Sequence, residues 1–163
     1  EALAKFDEVR ILIGSANESR TIRNPWTFSE RLAMILKSLD RRRMEIYKGR
    51  IKLYPLDDCI NNDSLWRNRV IEKIAELGSK SYIIGFNKDD STYYLNYLSE
   101  VLEFIEINTG YNISSTKIRQ AIHNNNYDYI AKNSKLSLDY IRQLSGNAYD
   151  LIQLSEYEKL NDK

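Results

Sequence analysis

The chain has 163 residues, 42% apolar and 29% charged, with a net charge of +1. This suits one folded domain with a sizeable core and sets aside disordered and membrane-embedded classes, since no apolar run approaches the roughly 18 residues that span a bilayer. Near-neutral charge also removes a global field for nucleic acid, so any anion site must be local.

In chain order, Ala2, Leu3 and Phe6 recur at helical spacing and read as the tail of a helix. A domain rarely begins mid-helix with its apolar face in phase, so a segment upstream of Glu1 is expected. Val9 to Ile13 form a β-branched strand that ends at the Gly14-Ser15 turn. Their near-continuous apolar character suits a parallel strand covered on both faces. A polar loop from Asn17 to Pro25 follows. Thr27 and Glu30 make a capping box, and Leu32, Ile35, Leu36 and Leu39 give the helix after it a buried stripe. Trp26, just before the cap, is placed to staple onto the first turn. Arg41-Arg42-Arg43 reads as a solvated helix end.

Ile51 to Tyr54 is the second strand, closed by Pro55. Asp63 is the expected N-cap of a helix carrying Trp66, Val70, Ile71, Ile74 and Leu77, which ends at Gly78. A third strand runs from Ser81 to Phe86 into the polar loop Asn87 to Asp90. Tyr93, Tyr94, Leu95 and Leu98 mark the next helix, and Leu102 to Ile107 a fourth strand. The stretch after it is the richest in chemistry. Ser114 is the N-cap of a helix whose inner face is Ile118, Ala121 and Ile122, leaving Lys117 and Arg119 outward. Free N–H groups, hydroxyls and two cations at one helix start make an anion site, most naturally for phosphate. The same features also suit an ordinary capped helix with surface cations. Beyond residue 126 only helices are expected, at 127–131, 136–144 and 148–160.

Alternating strands and helices predict a doubly wound α/β layer with a parallel sheet, residues 1–126 as the core and 127–163 as a helical C-terminal part of the same domain. Ligands in such sheets sit beyond the carboxyl ends of the strands. Gly14-Ser15, Asp57-Asp58, Gly85 to Asp89 and Ser114 to Thr116 all fall there, which locates a site without reference to any family. Cys59 and His123 are the only cysteine and histidine. Their counts rule out an internal disulfide and a histidine pair, and they favour a reducing, cytoplasmic setting. His123 reads as a cation facing the negative end of its helix, with no catalytic part.

The pattern Ser-x-Thr-x-x-Arg at Ser114, Thr116 and Arg119 resembles the C-terminal signature of the nucleotidyltransferase superfamily. The stretch Ile13 to Arg31, with Asn-Pro-Trp-Thr-Phe-Ser-Glu-Arg at its end, is similar to nicotinamide mononucleotide (NMN) adenylyltransferases of the archaeal type. Gly85 to Asn96 resembles the branch in which that domain is fused to a Nudix hydrolase. The resemblance implies a Rossmann-like fold and the reaction of ATP with NMN to give NAD and pyrophosphate, with Mg2+ on the ATP phosphates.

Carried residue by residue, the resemblance places Gly85, Asn87, Asp89, Ser114, Thr116 and Arg119 at ATP, with Arg119 neutralising charge on the leaving pyrophosphate. Lys117 and Lys88 are further cations open to that task. Ser15, Arg23, Asp58 and Trp66 fall at NMN, with Arg23 on its phosphate and Trp66 stacked on the nicotinamide ring. Two alternatives stay open: Trp66 also shares a face with Val70 and Ile74 as a core residue would, and Asp57 competes with Asp58 as the site acid.

No protein metal ligand, nucleic acid or membrane is implied, and a homo-oligomer is compatible. The superfamily's other signature, His-x-Gly-His with its strand, would lie upstream of Glu1, and these 163 residues do not contain it. A Nudix signature would follow residue 163 in the fused branch. A non-catalytic NMN or NAD sensor, and an enzyme for another acceptor such as a cytidylyltransferase or a pantetheine-phosphate adenylyltransferase, are the competing readings. Arg23 and Trp66 favour NMN over those acceptors.

Overall fold

Residues 2–21, 24–39, 48–75, 80–85, 98–107, 115–134, 136–146, 148 and 152 are described by a computed structural model. The chain divides into two compact units, residues 3–58 with 112–163 and residues 59–111.

The first unit begins with helix α1 (Ala2–Lys5) and strand β1 (Val9–Ile13), followed by helix α2 (Phe28–Ser38) and strand β2 (Ile51–Pro55). β1 and β2 pair in parallel with Val9 opposite Ile51 and Ile13 opposite Pro55, so α2 lies in a β-α-β crossover. Parallel strands require such a connection, because a tight turn only returns the chain antiparallel. Arg50 fastens α1 to the start of β2, donating to the carbonyls of Asp7 (2.7 Å), Leu3 (3.0 Å) and Phe6. Carbonyls at a helix C-terminus lack intrahelical partners, and the guanidinium supplies them. Glu8 bridges both strands, accepting from Lys52 at 2.6 Å and Arg10 at 2.7 Å. Those bonds, Lys52's first, hold its carboxyl below the usual carboxylate range.

α2 starts as its local chemistry dictates. Thr27 Oγ1 accepts from the Glu30 N–H at 3.2 Å, and Glu30 Oε2 accepts from the Thr27 N–H at 2.9 Å. Its apolar stripe is shallower than the spacing suggests, since no residue of α2 is fully buried and Leu36 is 39% exposed. Position 31, where a staple partner for Trp26 would sit, is an arginine, and Trp26 packs on the helical core.

That core belongs to α4 (Ser115–His123), α5 (Tyr127–Asn133) and α6 (Leu138–Gly146), with Asn126 capping α5 through the Tyr129 N–H at 3.1 Å. Ala121, Ile122, Ile130, Ile141, Ala148 and Ile152 are buried together. Lys37 over the Tyr140 ring, 3.7 Å from its centroid, ties α2 to α6, and Arg142 over Tyr127 at 4.8 Å ties α6 to α5. Beside this core lies an apolar cavity of ≈ 170 Å3, bounded by Trp26, Met34, Ile118, Ile122, Ile130 and Ile141 among others.

The second unit holds helix α3 (Asp63–Ala75) and the parallel pair β3 (Tyr82–Gly85) and β4 (Glu103–Glu106). The cap of α3 is Asn62, not Asp63. Its Oδ1 accepts from the Leu65 N–H at 2.9 Å, which places Asp63 inside the first turn. Val70 and Leu98 are each 2% exposed and anchor the unit. The helix expected over Tyr93 to Leu95 and the helix end at Gly78 lie outside the described residues, as does most of 148–160. Among the described residues no helix is long and apolar enough to cross a membrane.

Candidate functional site

The carboxyl end of the β1–β2 pair is where the first unit gathers its polar groups. The ladder runs one step past both strands: the Leu56 N–H donates to Ile13 O and the Ala16 N–H to Leu56 O, each at 3.0 Å. Between them the chain turns through Ser15, whose φ of 51° is left-handed. That conformation disfavours a side chain and is held only where neighbours enforce it. Here Ser15 O accepts from the Glu18 N–H at 3.1 Å and from Arg31 Nη2 at 2.8 Å, while Gly14 O accepts from Arg31 Nη1 at 2.6 Å. Among the described residues, a Cβ at Gly14 would meet no atom of another residue beyond its chain neighbours within 4 Å.

Asn17 joins this turn to the loop after β2. Its Oδ1 accepts from the Asp58 N–H at 2.8 Å and its Nδ2 donates to the Asp58 carbonyl at 3.2 Å. Both polar atoms of one amide are spent on one backbone unit, which fixes the loop in register. Asp58 is thereby half-buried beside the turn, and Asp57 is exposed. Arg31 feels that placement: burial lowers its pKa, and the negative charge of Asp58 works against the lowering. The loop between turn and helix is anchored by Arg20, which donates to Pro25 O at 3.0 Å and to Glu30 Oε1 at 2.8 Å.

α4, in the same unit, carries the phosphate-site candidates. Thr116 and Lys117 are exposed in its opening turn. Arg119 does not simply face outward: it is half-buried and its Nε is fully buried. The second unit carries Gly85 at the end of β3 and Trp66 on α3. Trp66 is half-buried, and Val70 is the fully buried residue of that helix. Arg23, Asn87, Asp89, Lys88 and Ser114 lie outside the described residues.

Of the expected residues, then, Ser15 and Asp58 lie on two loops that Asn17 and the Ala16 N–H bond together. Arg31, Asn17 and Arg20 are the residues that motif reading left without roles. Their signal is present only as a dense run of polar residues around a capped helix start, and their partners lie across the fold. Among the described residues no group of three or more histidine, cysteine, aspartate or glutamate side chains gathers as a metal site would require.

No protein-family model matches the chain. It is similar to the nicotinamide/nicotinic acid mononucleotide adenylyltransferase of Acinetobacter baylyi, 32% identical over 127 residues that cover 75% of this chain and 64% of that protein. It is also similar to the nicotinamide-nucleotide adenylyltransferase of Thermococcus kodakarensis, 39% identical over 71 residues, 44% of this chain and 36% of that one. The chain thus spans well under the full length of these relatives.

Among solved structures, a bifunctional NMN adenylyltransferase/ADP ribose pyrophosphatase from Francisella tularensis, complexed with AMP and Mn ion, superposes with a TM-score of 0.63. At 22% identity it covers 97% of this chain and 48% of its own. The chain therefore shares the Rossmann-like α/β fold of that structure, and the relatives just given carry the name of NMN adenylyltransferases.

Proposed function

We propose that this relative of the NMN adenylyltransferases transfers AMP from ATP to NMN. An oxygen of the NMN 5′-phosphate attacks the α-phosphorus in line. The bond from that phosphorus to the β-phosphate bridging oxygen breaks, and NAD and pyrophosphate form. No covalent enzyme intermediate is needed, so the chain's task is alignment and charge stabilisation. The observation that carries the reading is the rim at the carboxyl ends of β1 and β2, where Asn17 locks Asp58 beside the left-handed Ser15 turn. That is where a doubly wound sheet binds its ligand.

In the first unit, Ser15 and Asp58 meet the acceptor nucleotide and Arg23 its phosphate. Thr116, Ser114 and Arg119 hold the triphosphate. In the second, Trp66 is the platform for the nicotinamide ring, and Gly85, Asn87 and Asp89 meet the adenosine. Mg2+ enters on ATP as part of the substrate. A cytoplasmic setting fits substrates of this kind.

Trp66→Ala tests the choice of acceptor. A cationic pyridinium over an indole is worth about 0.5–2 kcal/mol. Calorimetric titration should therefore show NMN binding weakened about 2- to 30-fold while ATP binding changes less than about twofold. Equal weakening of both ligands together with a fall in Tm would return Trp66 to the core. Failure of the unaltered protein to bind NMN would remove the reading itself.

A further inference from the structure

We infer that Arg31 is a positioning residue for the acceptor nucleotide, orienting the peptide units of the Gly14-Ser15 turn so that the Ser15 N–H is presented as a donor to an acceptor oxygen. The inference rests on the acceptor site proposed above and assigns to it a group that touches no substrate.

Arg31 sits on the first full turn of α2, behind the capping box. Its two terminal nitrogens donate to consecutive carbonyls, Gly14 O at 2.6 Å and Ser15 O at 2.8 Å. Both carbonyls lie past the last residue of β1, where the strand ladder no longer dictates their direction. A guanidinium is the side chain that reaches two acceptors at once in a fixed fork. In a trans peptide the carbonyl and the following N–H point opposite ways. Drawing Gly14 O toward Arg31 therefore turns the Ser15 N–H away from it, and drawing in Ser15 O does the same to the Ala16 N–H.

The two amides then differ in one respect. The Ala16 N–H is used by Leu56 O at 3.0 Å. The Ser15 N–H has no partner among the described residues. It stands beside Gly14, where among the described residues no atom outside the turn lies within 4 Å of a Cβ. An unpaired backbone donor next to open space, held in a left-handed turn by a half-buried guanidinium, is a place for a ligand oxygen. Asp58, fixed by Asn17 on the adjoining loop, gives the same rim an acceptor. Donor and acceptor side by side suit a nucleotide carrying both kinds of group.

The test uses the complete gene product with Arg31→Lys and Arg31→Met. Lysine keeps the charge and the apolar stem but places a single nitrogen, so it cannot hold both carbonyls in the fork geometry. The expected result is a KM for NMN raised about tenfold in Arg31→Lys, with kcat and the KM for ATP within about threefold of the parent. Hydrogen exchange should accelerate at Gly14 to Ala16 in both variants and stay unchanged in α4 to α6. In a third variant, Arg31→Ala, millimolar guanidinium should restore part of the acceptor affinity, because it refills the fork.

If the unaltered protein uses NMN and the Arg31 variants keep its KM, the inference is wrong. It is also wrong if both KM values rise together with a loss of thermal stability. If the unaltered protein does not use NMN, the functional reading fails on its own. The exchange measurement still decides Arg31, since unchanged exchange at Gly14 to Ala16 overturns its role.

Discussion

Arg119→Ala is expected to lower the rate of adenylyl transfer about 10² to 10³-fold, the usual cost of removing one preorganised group from an electrostatic site. Negative charge grows on the β-phosphate oxygens as pyrophosphate leaves. Arg119 lies one turn into α4, on the end where the helix dipole is positive and N–H groups are free. Its guanidinium is half-buried, so its charge is less screened by water than that of the exposed Lys117. For the same reason Lys117→Ala should cost far less. Arg119→Lys should recover only part of the rate, because an ammonium cannot grip two phosphate oxygens in parallel. Steady-state kinetics with thermal melts separate the possibilities. A melting point that drops while kcat holds would make Arg119 a structural residue.

Ile130→Ala should produce the largest loss of stability, about 3 kcal/mol, and lower Tm by roughly 6–12 °C. Ile130 is 1% exposed and packs with Ile122, Ile141 and Ile152 where α4, α5 and the end of α6 meet. It also bounds the ≈ 170 Å3 cavity. Truncation therefore widens a void that the surrounding helices already fail to close, and the lost contacts are not recovered by collapse. NMN binding at the β1–β2 rim should change little in the variant that remains folded at 25 °C. A ΔΔG below about 1 kcal/mol would show that these helices repack freely around the cavity.

Where one stretch of chain settles its own conformation, the sequence was a sufficient guide. The Thr27 and Glu30 capping box needs only four residues, and it forms with both of its bonds. Val9 to Ile13 and Ile51 to Pro55 pair as parallel strands as expected, but of the two only Ile13 is buried, so the full cover on both faces that the apolar run of β1 suggests is not reached. The Ile118, Ala121 and Ile122 face of α4 is packed inward as its spacing requires. One-residue ambiguities were not legible. Asn61, Asn62 and Asp63 can all cap a helix, and only the folded turn selects Asn62.

Long-range bonding was less legible still. Asp57 and Asp58 are equivalent as letters, and what separates them is an amide 41 residues away, Asn17. Arg31 was visible as the last residue of a motif. Its use, two carbonyls 16 and 17 residues back, depends on α2 folding over the end of β1. Trp26 precedes a helix start, and its packing on the helical core depends on residues about 90 and more positions along the chain.

Turnover by the protein decides which acceptor it uses. The complete gene product, given NMN, ATP and Mg2+, should release NAD and pyrophosphate in equal amounts. NMN should be used in preference to phosphorylated acceptors without a pyridine ring, such as phosphopantetheine. Binding of NMN with no NAD formed would contradict the account in favour of a sensing module, and transfer confined to another acceptor would contradict the assignment of the β1–β2 rim to NMN.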